Sequence, residues 1–522
     1  MKYCLNTKTC IFSRYTENKF ALSSQEYKIC RNGKCVCPKK FINKTKNSYP
    51  LKITFENLEL CIYDVVLQKD IIYFYFETDN PDTITLDKIY KDKKFEVLTC
   101  GNNQKPKCNK YVPSVQECSL LSTPEAYFTQ IEINGQPLVV ALDSGSSILG
   151  VPTDPYIELK PKDVYGNPLP TYKPAKDKCV KTTDYLTYIQ YETGSWGGSN
   201  LISKIKVGNK NLNYIQFGAA YFDPNTESPI YRGGIMGLSF TYNNKYKIDF
   251  EKLSFPPTKE MLTQQFWDEQ NKKPKTTYST FMDYYGEKYS KYSQKFGIWV
   301  QRCIGSNTKN KEIAKQDPTN YGKFILGGGE TNTNLYKGEL STIPVMKTPG
   351  NNAINPGNEP IFIFYTIQLN NFKINNENIN IPKEKFFTFI DSGTTSLFFP
   401  KYFYEPIKNI FTSINIPLNC DGTGNFWDKY TFEYIFYGDV DINDICLKYW
   451  PTFELPLTDK DGNNKIFKIS PENYWNTTNG FYFFLINFGL TLNTIVLGHP
   501  FLCENYCVFD YGQKQVKIAP RK

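Results

Sequence analysis

The chain has 522 residues, which is enough for about two to four domains. Apolar residues make up 40% and charged residues 22%, a balance that argues against global disorder and against a coiled coil. Aromatic residues reach 16%, with 39 Tyr and 38 Phe, which favours strands over helices. Because His499 is the only histidine, zinc sites with two or more histidines are excluded, and acid–base chemistry falls mainly on carboxylates, Tyr, Cys or Lys.

The N-terminal region differs from the rest in charge and in cysteine content. The net charge is +9, and residues 1–120 hold 20 basic and 13 acidic residues. The lysines are dispersed and no recognition motif accompanies them, so we expect no nucleic-acid partner. Nine of the 15 cysteines lie in residues 1–118, which predicts a disulfide framework from an oxidising compartment. A metal site there is less favoured, since no regular pair of Cys-x-x-Cys motifs occurs.

Signals for targeting point in two directions. Residues 1–15 contain no apolar signal-peptide segment, and we expect that a leader has been removed or missed. No run of 18 apolar residues occurs, so we expect no transmembrane anchor. Glycosylation sequons at Asn43 and Asn476 agree with a secretory route, although such tripeptides often arise by chance.

In chain order, two strand-like stretches between Leu51 and Phe76 are followed, from about residue 127, by short β-rich runs separated by Gly, Pro and Asn. We predict strands at Tyr127–Ile133, Pro137–Leu142, Tyr188–Tyr191, Lys323–Leu326, Ile361–Leu369 and Phe386–Ile390. The clearest helical pattern is Thr258–Asn271, with Thr258 as its N-cap. The polar stretches 272–292 and 346–360 are predicted to be surface insertions. The body is therefore expected to be mostly β.

The body contains a repeated unit. Residues 141–152 and 389–400 align so that Asp, Ser, Gly, Leu and Pro coincide. Each copy is followed by an apolar pair ending in glycine, at Gly237 and Gly498, 94 and 107 residues after the aspartate of its copy. Two copies with similar internal spacing predict two lobes related by a pseudo-twofold axis.

Each unit places an aspartate, Asp143 or Asp391, at the end of an apolar strand. The glycine two residues later lets the backbone approach and leaves an N–H free to point at the carboxylate. The hydroxyl of Ser146 or Thr394 can donate to the same carboxylate. One Asp-Ser-Gly alone would indicate a turn with an Asx cap, but two copies in matching contexts predict a site built from both aspartates.

With these motifs, residues 120–522 resemble the pepsin-like aspartic peptidases (family A1, the eukaryotic aspartyl proteases). Beyond the two Asp-Ser-Gly units, Tyr-Glu-Thr-Gly-Ser at 191–195 is similar to the flap hairpin of that family. Phe-Ile-Leu-Gly-Gly-Gly at 324–329 is similar to the strand that closes the first lobe, and residues 495–520 are similar to the family's C-terminus.

The resemblance implies a mostly β, bilobal pepsin-like fold, with two pseudo-twofold related lobes of the six-stranded type and a cleft between them. It divides the chain into a Cys-rich basic N-terminal extension (1–118), an N-terminal catalytic lobe with Asp143 and the flap (119–342), and a C-terminal catalytic lobe with Asp391 (343–522). The extension is either a prosegment, whose lysines would neutralise cleft carboxylates, or a disulfide-bonded accessory domain.

The implied activity is aspartic endopeptidase cleavage of extended polypeptides beside large apolar residues, at acidic pH and sensitive to pepstatin. Two carboxylates about 3 Å apart, as aspartic proteases in general have them, cannot both stay ionised. One would activate a water and the other would polarise the scissile carbonyl, so no cofactor or metal is expected. By resemblance the protein is a zymogen-derived monomer that is secreted or works in an acidic vacuole or lysosome. The alternative is a catalytically weak or inactive pepsin-like binding or inhibitor module.

The site residues are carried over one by one from the same resemblance. The catalytic pair is Asp143 and Asp391, supported by Ser144, Gly145, Ser146, Ser392, Gly393 and Thr394. Substrate-binding flap residues are Tyr191, Thr193 and Gly194, and a C-lobe disulfide joins Cys420 to Cys446. Ser144 and Ser392 would cross-brace the two loops, while Ser146 and Thr394 would bond the outer carboxylate oxygens.

Two positions depart from the family pattern. Gly150 stands where members usually carry a tryptophan that bonds the flap tyrosine, which leaves flap position and the neighbouring subsites open. His499 stands where many members carry Asp. It is either a satisfied buried histidine or a cation that lowers the apparent pKa of the aspartate pair. Cys503 and Cys507 either pair with each other or stay reduced.

Overall fold

The computed structural model describes residues 115–522 with gaps, and before residue 115 only the backbone of the strands. The gaps are 123–125, 155–159, 164–165, 191–193, 223–231, 241–244, 248–259, 272–274, 277–278, 290–292, 302–315, 351–354, 356–358, 383–385, 437, 439, 479–480 and 490–492. The chain divides into two compact units, one of Met1–Val115 with Gly286–Ser293 and one of Gln116–Tyr285 with Gln294–Lys522.

The described part of the first unit is β-structure. Its strands are β1 (Tyr15–Thr16), β2 (Lys19–Leu22), β3 (Ile29–Arg31), β4 (Lys34–Val36), β5 (Thr45–Lys46), β6 (Leu51–Phe55), β7 (Leu58–Gln68), β8 (Ile71–Phe76), β9 (Thr85–Tyr90) and β10 (Lys93–Glu96). An antiparallel sheet has the order β10-β9-β6-β7-β8, so the apolar stretches from Leu51 to Phe76 form three of its strands. The cysteine side chains of this unit, and with them the predicted disulfide framework, lie outside the described residues.

The second unit contains the repeat. Its strands are β11 (Gln116–Ser122), β12 (Tyr127–Ile133), β13 (Gln136–Asp143), β14 (Leu149–Pro152), β15 (Lys181–Gln190), β16 (Ser195–Val207), β17 (Lys210–Phe222), β18 (Ile235–Gly237), β19 (Lys245–Lys247), β20 (Lys275–Thr276), β21 (Lys295–Trp299), β22 (Tyr321–Leu326), β23 (Ser341–Pro344), β24 (Thr366–Ile367), β25 (Asn371–Ile374), β26 (Glu377–Asn380), β27 (Phe387–Ile390), β28 (Leu397–Phe399), β29 (Val440–Asp441), β30 (Phe453–Thr458), β31 (Asn464–Ile469), β32 (Trp475–Thr478), β33 (Phe481–Phe484), β34 (Ile486–Phe488), β35 (Thr494–Leu497), β36 (Asn505–Asp510) and β37 (Gln515–Pro520). The α-helices are α1 (Gln264–Asn271), α2 (Phe281–Tyr289), α3 (Tyr404–Ser413), α4 (Phe426–Lys429), α5 (Pro471–Tyr474) and α6 (His499–Glu504).

The two copies of the repeat have the same strand pairing. In the first, β18 pairs parallel with β13 and antiparallel with β14, and β14 also pairs parallel with β17. In the second, β35 pairs parallel with β27 and antiparallel with β28, and β28 also pairs parallel with β34. Each aspartate therefore leaves the carboxyl end of an equivalent, buried strand.

The prediction of a mostly β body is confirmed, whereas three local predictions need correction. Ile361–Leu369 is a strand only at Thr366–Ile367, because its pairing partner changes along its length: Ile361 bridges Thr348, β24 pairs with β27, and Leu369 bridges Leu457. The helix expected at Thr258–Asn271 begins later, as a 3₁₀ turn at Glu260–Leu262 followed by α1, and Thr258 lies outside the described residues.

The predicted insertion at 272–292 is wrong in its second half, where the chain forms helix α2. Phe281, Met282 and Tyr285 are buried at helical spacing, so this segment belongs to the core. Thr280 caps the N-terminus of α2, since its backbone N–H and hydroxyl donate to the carboxylate of Asp283. The many Lys and Tyr residues around α2 made its short amphipathic pattern hard to recognise in the sequence.

The structure forms the disulfide between Cys420 and Cys446, with an S–S distance of 2.02 Å. Cys503 and Cys507 are buried thiols and do not bond to each other. The Asn476 side chain is buried within β32, so the folded chain does not expose the acceptor amide of this sequon, and Asn43 lies outside the described residues. In the part of the chain that the structure describes, no helix is long and apolar enough to cross a membrane.

Candidate active site

Asp143 ends β13 and Asp391 directly follows β27. Their side chains are largely buried, with 6% and 8% of their surface exposed. The backbone N–H of Leu238 donates to the carbonyl of Asp143 at 2.7 Å, and the N–H of Asp391 donates to the carbonyl of Leu497 at 3.0 Å. The segments of the two apolar pairs, at β18 and β35, thus bind the backbones of the two aspartates.

Two serines join the loops by four reciprocal hydrogen bonds. The backbone N–H of Ser144 donates to Oγ of Ser392 at 3.0 Å, and the N–H of Ser392 donates to Oγ of Ser144 at 2.9 Å. The Ser144 hydroxyl donates to the carbonyl of Ile390 at 3.1 Å. The Ser392 hydroxyl donates in the same way to the carbonyl of Leu142 at 3.0 Å. All four bonds are buried and fix one loop against the other.

The glycines bring the two carboxylates together. The N–H of Gly145 donates to Oδ1 of Asp143 at 2.7 Å, and that of Gly393 donates to Oδ1 of Asp391 at 2.8 Å. A methyl group on Gly145 would lie 2.6 Å from Oδ2 of Asp391. A methyl group on Gly393 would lie 2.6 Å from Oδ1 of Asp143. Each glycine therefore faces the carboxylate of the other loop, and only the absence of a side chain allows this approach.

The hydroxyls beside the two carboxylates are not equivalent. Thr394 donates from Oγ1 to Oδ2 of Asp391 at 2.6 Å. Ser146 lies close enough to Asp143 to lower the pKa of that carboxyl. However, its buried Oγ has no hydrogen bond of normal geometry among the described residues. The outer-oxygen bond expected in both loops is thus formed only in the second.

Electrostatics favours one shared proton. Burial raises the pKa of Asp143 well above 3.8, and the neighbouring charge of Asp391 raises it further. The nearby Ser146 hydroxyl and the backbone N–H of Gly145 lower the pKa but do not cancel these effects. The pair can therefore supply one proton donor and one carboxylate base at the same place, which is what general acid–base catalysis on a carbonyl needs.

His499 lies beneath the second aspartate loop and is fully buried. Its backbone N–H donates to the carbonyl of Thr394 at 2.9 Å, and its Nε2 lies 3.0 Å from the carbonyl of Ser392. Because a carbonyl oxygen only accepts, Nε2 carries a hydrogen. The imidazole stacks on the ring of Tyr127, with centroids 3.8 Å apart. Sequence reasoning missed Tyr127, since nothing in a β12 pattern distinguishes this core tyrosine from any other.

The segment that resembles a flap is the β15–β16 hairpin. Its last pair is Gln190 with Ser195. Tyr191 and Thr193 lie outside the described residues, while Gly194 is half-buried directly before β16. Near Gly150 the structure shows a feature that sequence reasoning missed, because the indole of Trp196 fills the space above this glycine. A tryptophan directly after the flap motif, together with a glycine at position 150, was the signal that could have revealed it.

The groups at the site are carboxyl, hydroxyl and backbone groups. Within residues 115–522, outside the gaps given above, no group of three or more His, Cys, Asp or Glu side chains could hold a metal ion. The groups brought together at the site are two carboxylates, serine and threonine hydroxyls and backbone N–H groups.

Comparisons with known proteins agree with this geometry. A family model described as eukaryotic aspartyl protease matches residues 126–521, about three-quarters of the chain. A search of curated proteins gave no significant match. The match begins one residue before β12 and ends one residue after β37, so it includes both aspartate loops. The chain therefore belongs to the eukaryotic aspartyl protease family.

Proposed function

We propose that the chain is an aspartic endopeptidase in which Asp143 and Asp391 hydrolyse peptide bonds through one activated water. The observation that carries this proposal is the reciprocal approach of Gly145 and Gly393 to the carboxylate of the opposite loop. It is supported by the raised pKa of Asp143, which keeps a proton on the pair. Membership of the protease family makes peptide hydrolysis the reaction expected of such a pair.

In the proposed reaction, the ionised carboxylate takes a proton from the water as the water oxygen bonds to the scissile carbonyl carbon. The protonated carboxyl gives its proton to the carbonyl oxygen, which forms a neutral tetrahedral diol. The diol then collapses: the C–N bond breaks, the nitrogen receives a proton from one carboxyl, and a diol hydroxyl returns its proton to the other carboxylate. The products are a carboxylic acid and an amine, and the pair again holds one proton. No metal or cofactor enters any step.

We further propose that the second unit has the bilobal layout of the family, with lobes at 119–342 and 343–522 and a cleft between them. An extended polypeptide would bind in the cleft, with large apolar side chains on both sides of the cut and with Tyr191, Thr193 and Gly194 of the flap above it. The matching strand pairing of the two repeats supports the lobe division. By analogy with the family, we also propose activity at acid pH, inhibition by pepstatin, a monomeric state and a secreted, vacuolar or lysosomal location.

For residues 1–118 we propose two roles that a single experiment separates. A prosegment would be removed near residues 110–125 when the purified chain is acidified, and cleavage activity would rise with the removal. A disulfide-bonded accessory domain would stay attached, and activity at acid pH would not depend on trimming. Gel analysis and N-terminal sequencing over a time course at pH 4 distinguish the two.

For His499 we propose a positioning role through the loop of Asp391, in which a charged imidazole lowers the apparent pKa of the pair. His499→Gln keeps an N–H donor for the Ser392 carbonyl but cannot be charged. This variant should shift the acidic limb of kcat/KM to higher pH. An unchanged pH profile would leave His499 as a satisfied core histidine.

The test of the proposed function is cleavage of a fluorogenic peptide with a Phe–Phe junction between pH 3 and pH 8. The full-length chain, the acid-treated chain and Asp391→Asn are compared, each with and without pepstatin. Cleavage that peaks in acid, stops with pepstatin and is lost in Asp391→Asn supports the proposal. If the chain binds pepstatin but cleaves nothing at any pH, the binding or inhibitor module is supported instead. The departure from the family pattern at Gly150 is the reason for testing this alternative.

A further inference from the structure

Two glycines form a flat backbone surface beside the first aspartate loop. Gly150 in β14 and Gly218 in β17 are direct partners in a parallel pair. Gly150 is only seven residues after Asp143 in the sequence, at the start of the strand that leaves the loop. With no side chain at either position, a large ring can lie directly on the paired backbones. We call these two residues the glycine platform.

The indole of Trp196 occupies the glycine platform. A methyl group on Gly150 would lie 2.5 Å from Cζ2 of this ring, and a methyl group on Gly218 would lie 2.5 Å from its Cη2. Both distances are far below van der Waals contact, so the ring lies where two side chains would otherwise be. Trp196 is fully buried and packs with Ile148 and Ile189 in one apolar cluster.

Trp196 also belongs to the flap hairpin. It pairs with Ile189 across β15 and β16, one residue pair below the tip. The next residue, Gly197, has no side chain where the ring of Trp267 from α1 lies. The tip end of the hairpin is thus held by two indoles, Trp196 on the glycine platform and Trp267 from α1. The ring of Trp196 packs on β14, the strand that leaves the Asp143 loop.

The chemistry of Trp196 favours a role in shape. Its Nε1 is buried and has no hydrogen-bond partner among the described residues, whereas Nε1 of Trp267 donates to the carbonyl of Met261 at 2.9 Å. Buried tryptophan N–H groups usually find a partner, and one that does not is costly. The contacts of the indole ring with the glycine platform depend on its size and reach.

We propose that Trp196 is a positioning residue that sets the flap hairpin relative to the Asp143 loop by locking its ring onto the glycine platform. The inference about substrate rests on the proposed function, because a flap matters to catalysis only if this cleft binds a substrate. The packing inference stands on the contacts alone. Trp196 touches no reacting group, and its effect passes through the hairpin and through β14.

The first experiment measures hydrogen exchange of the amides of residues 186–198 in the full chain. Trp196→Leu should exchange about tenfold faster at the tip end of the hairpin than wild type, because the ring no longer fills the platform. The matched control is Trp475→Leu, which removes another buried indole, 1% exposed and with its Nε1 also unpartnered in the described residues, from β32. Exchange in the hairpin that is unchanged in Trp196→Leu, or equally raised in both variants, overturns the proposal.

The second experiment measures peptide cleavage in a suppressor pair. Gly150→Ala should raise KM about tenfold while kcat changes by less than about threefold, because its methyl group displaces the ring and the flap but not the carboxylates. Trp196→Leu in the same chain should recover most of that loss, because the smaller side chain makes room. A fall in kcat at constant KM, or losses that simply add, contradicts the proposal. If the wild-type chain cleaves nothing, the proposed function fails, and hydrogen exchange still decides the role of Trp196.

Discussion

The two aspartate loops are the same in backbone and different in surroundings. Each aspartate accepts a hydrogen bond from the glycine two residues later, at 2.7 Å and 2.8 Å. The serine bonds that join the loops are also mirrored, at 3.0 and 2.9 Å for the N–H donors. Around this shared centre the residues diverge: Gly150 in the first copy stands where the second has Phe398, and Leu238 stands where the second has His499.

The comparison separates two tasks. The glycine and serine hydrogen bonds hold the two carboxylates together against their mutual repulsion. These bonds are the same in both loops. The two loops differ in three neighbouring groups. The Thr394 hydroxyl bonds to Asp391, the His499 imidazole contacts the second loop, and the Trp196 indole packs beside the first. Such asymmetry favours one of the two carboxyls as the place where the shared proton resides.

The largest expected effect comes from breaking the shared centre at its glycines. Gly145→Ala and Gly393→Ala would each place a methyl group 2.6 Å from the opposite carboxylate. The displaced carboxylate should cost kcat about 100-fold or more, and by a similar factor in both variants. Steady-state kinetics at the optimal pH gives the comparison. If either variant keeps wild-type kcat, the reciprocal contact is not needed for activity.

The next largest effect is expected from removing one of the two serines that hydrogen-bond the aspartate loops to each other. Ser144→Ala leaves the N–H of Ser392 and the carbonyl of Ile390 without their buried partner. Ser392→Ala does the same to the N–H of Ser144 and the carbonyl of Leu142. Each change should lower the free energy of unfolding by about 2 kcal/mol, as measured by urea denaturation. Clearly unequal losses would show that the mirrored bonds are not equivalent in energy.

The raised pKa of Asp143 predicts how stability depends on pH. The folded chain holds this proton more tightly than the unfolded chain, so stability falls as pH rises from the ordinary carboxyl pKa of 3.8 through the raised value. Asp143→Asn removes that cost and should raise the melting temperature at pH 7, with little effect near pH 3. Asp459→Asn is the opposite control, since the backbone N–H of Asn463 lowers the pKa of Asp459 and favours its charge. A lower melting temperature for Asp143→Asn at pH 7 would contradict the assignment.

The smallest effects should come from the hydroxyls. Thr394→Val removes a 2.6 Å bond to Asp391 and should lower kcat about tenfold. Ser146→Ala removes a weaker contact and should cost less than about threefold. Because Ser146 lowers the pKa of Asp143, its removal should also move the basic limb of kcat to higher pH. Equal losses of kcat in the two variants would show that the two hydroxyls contribute equally and would contradict this prediction.

The aspartate loops could be predicted from sequence because their chemistry is local. Asp-Ser-Gly fixes the carboxylate, the close backbone and the bracing hydroxyl within a few residues, and the repeat reveals the partner loop. The platform of Gly150 and Gly218 could not be predicted, because it depends on which strands lie side by side. Helix α2 was missed for a related reason: a polar composition hides three buried residues until their contacts are known.

The central claim is that Asp143 and Asp391 act as one unit, and a double-mutant cycle on kcat/KM tests it most directly. Asp143→Asn, Asp391→Asn and the double variant are compared with wild type at the optimal pH. The account predicts a loss of about 10³-fold or more for each single variant and no further loss in the double variant, because neither carboxylate works without the other. A single variant that stays within about tenfold of wild type, or losses that multiply in the double variant, would contradict it.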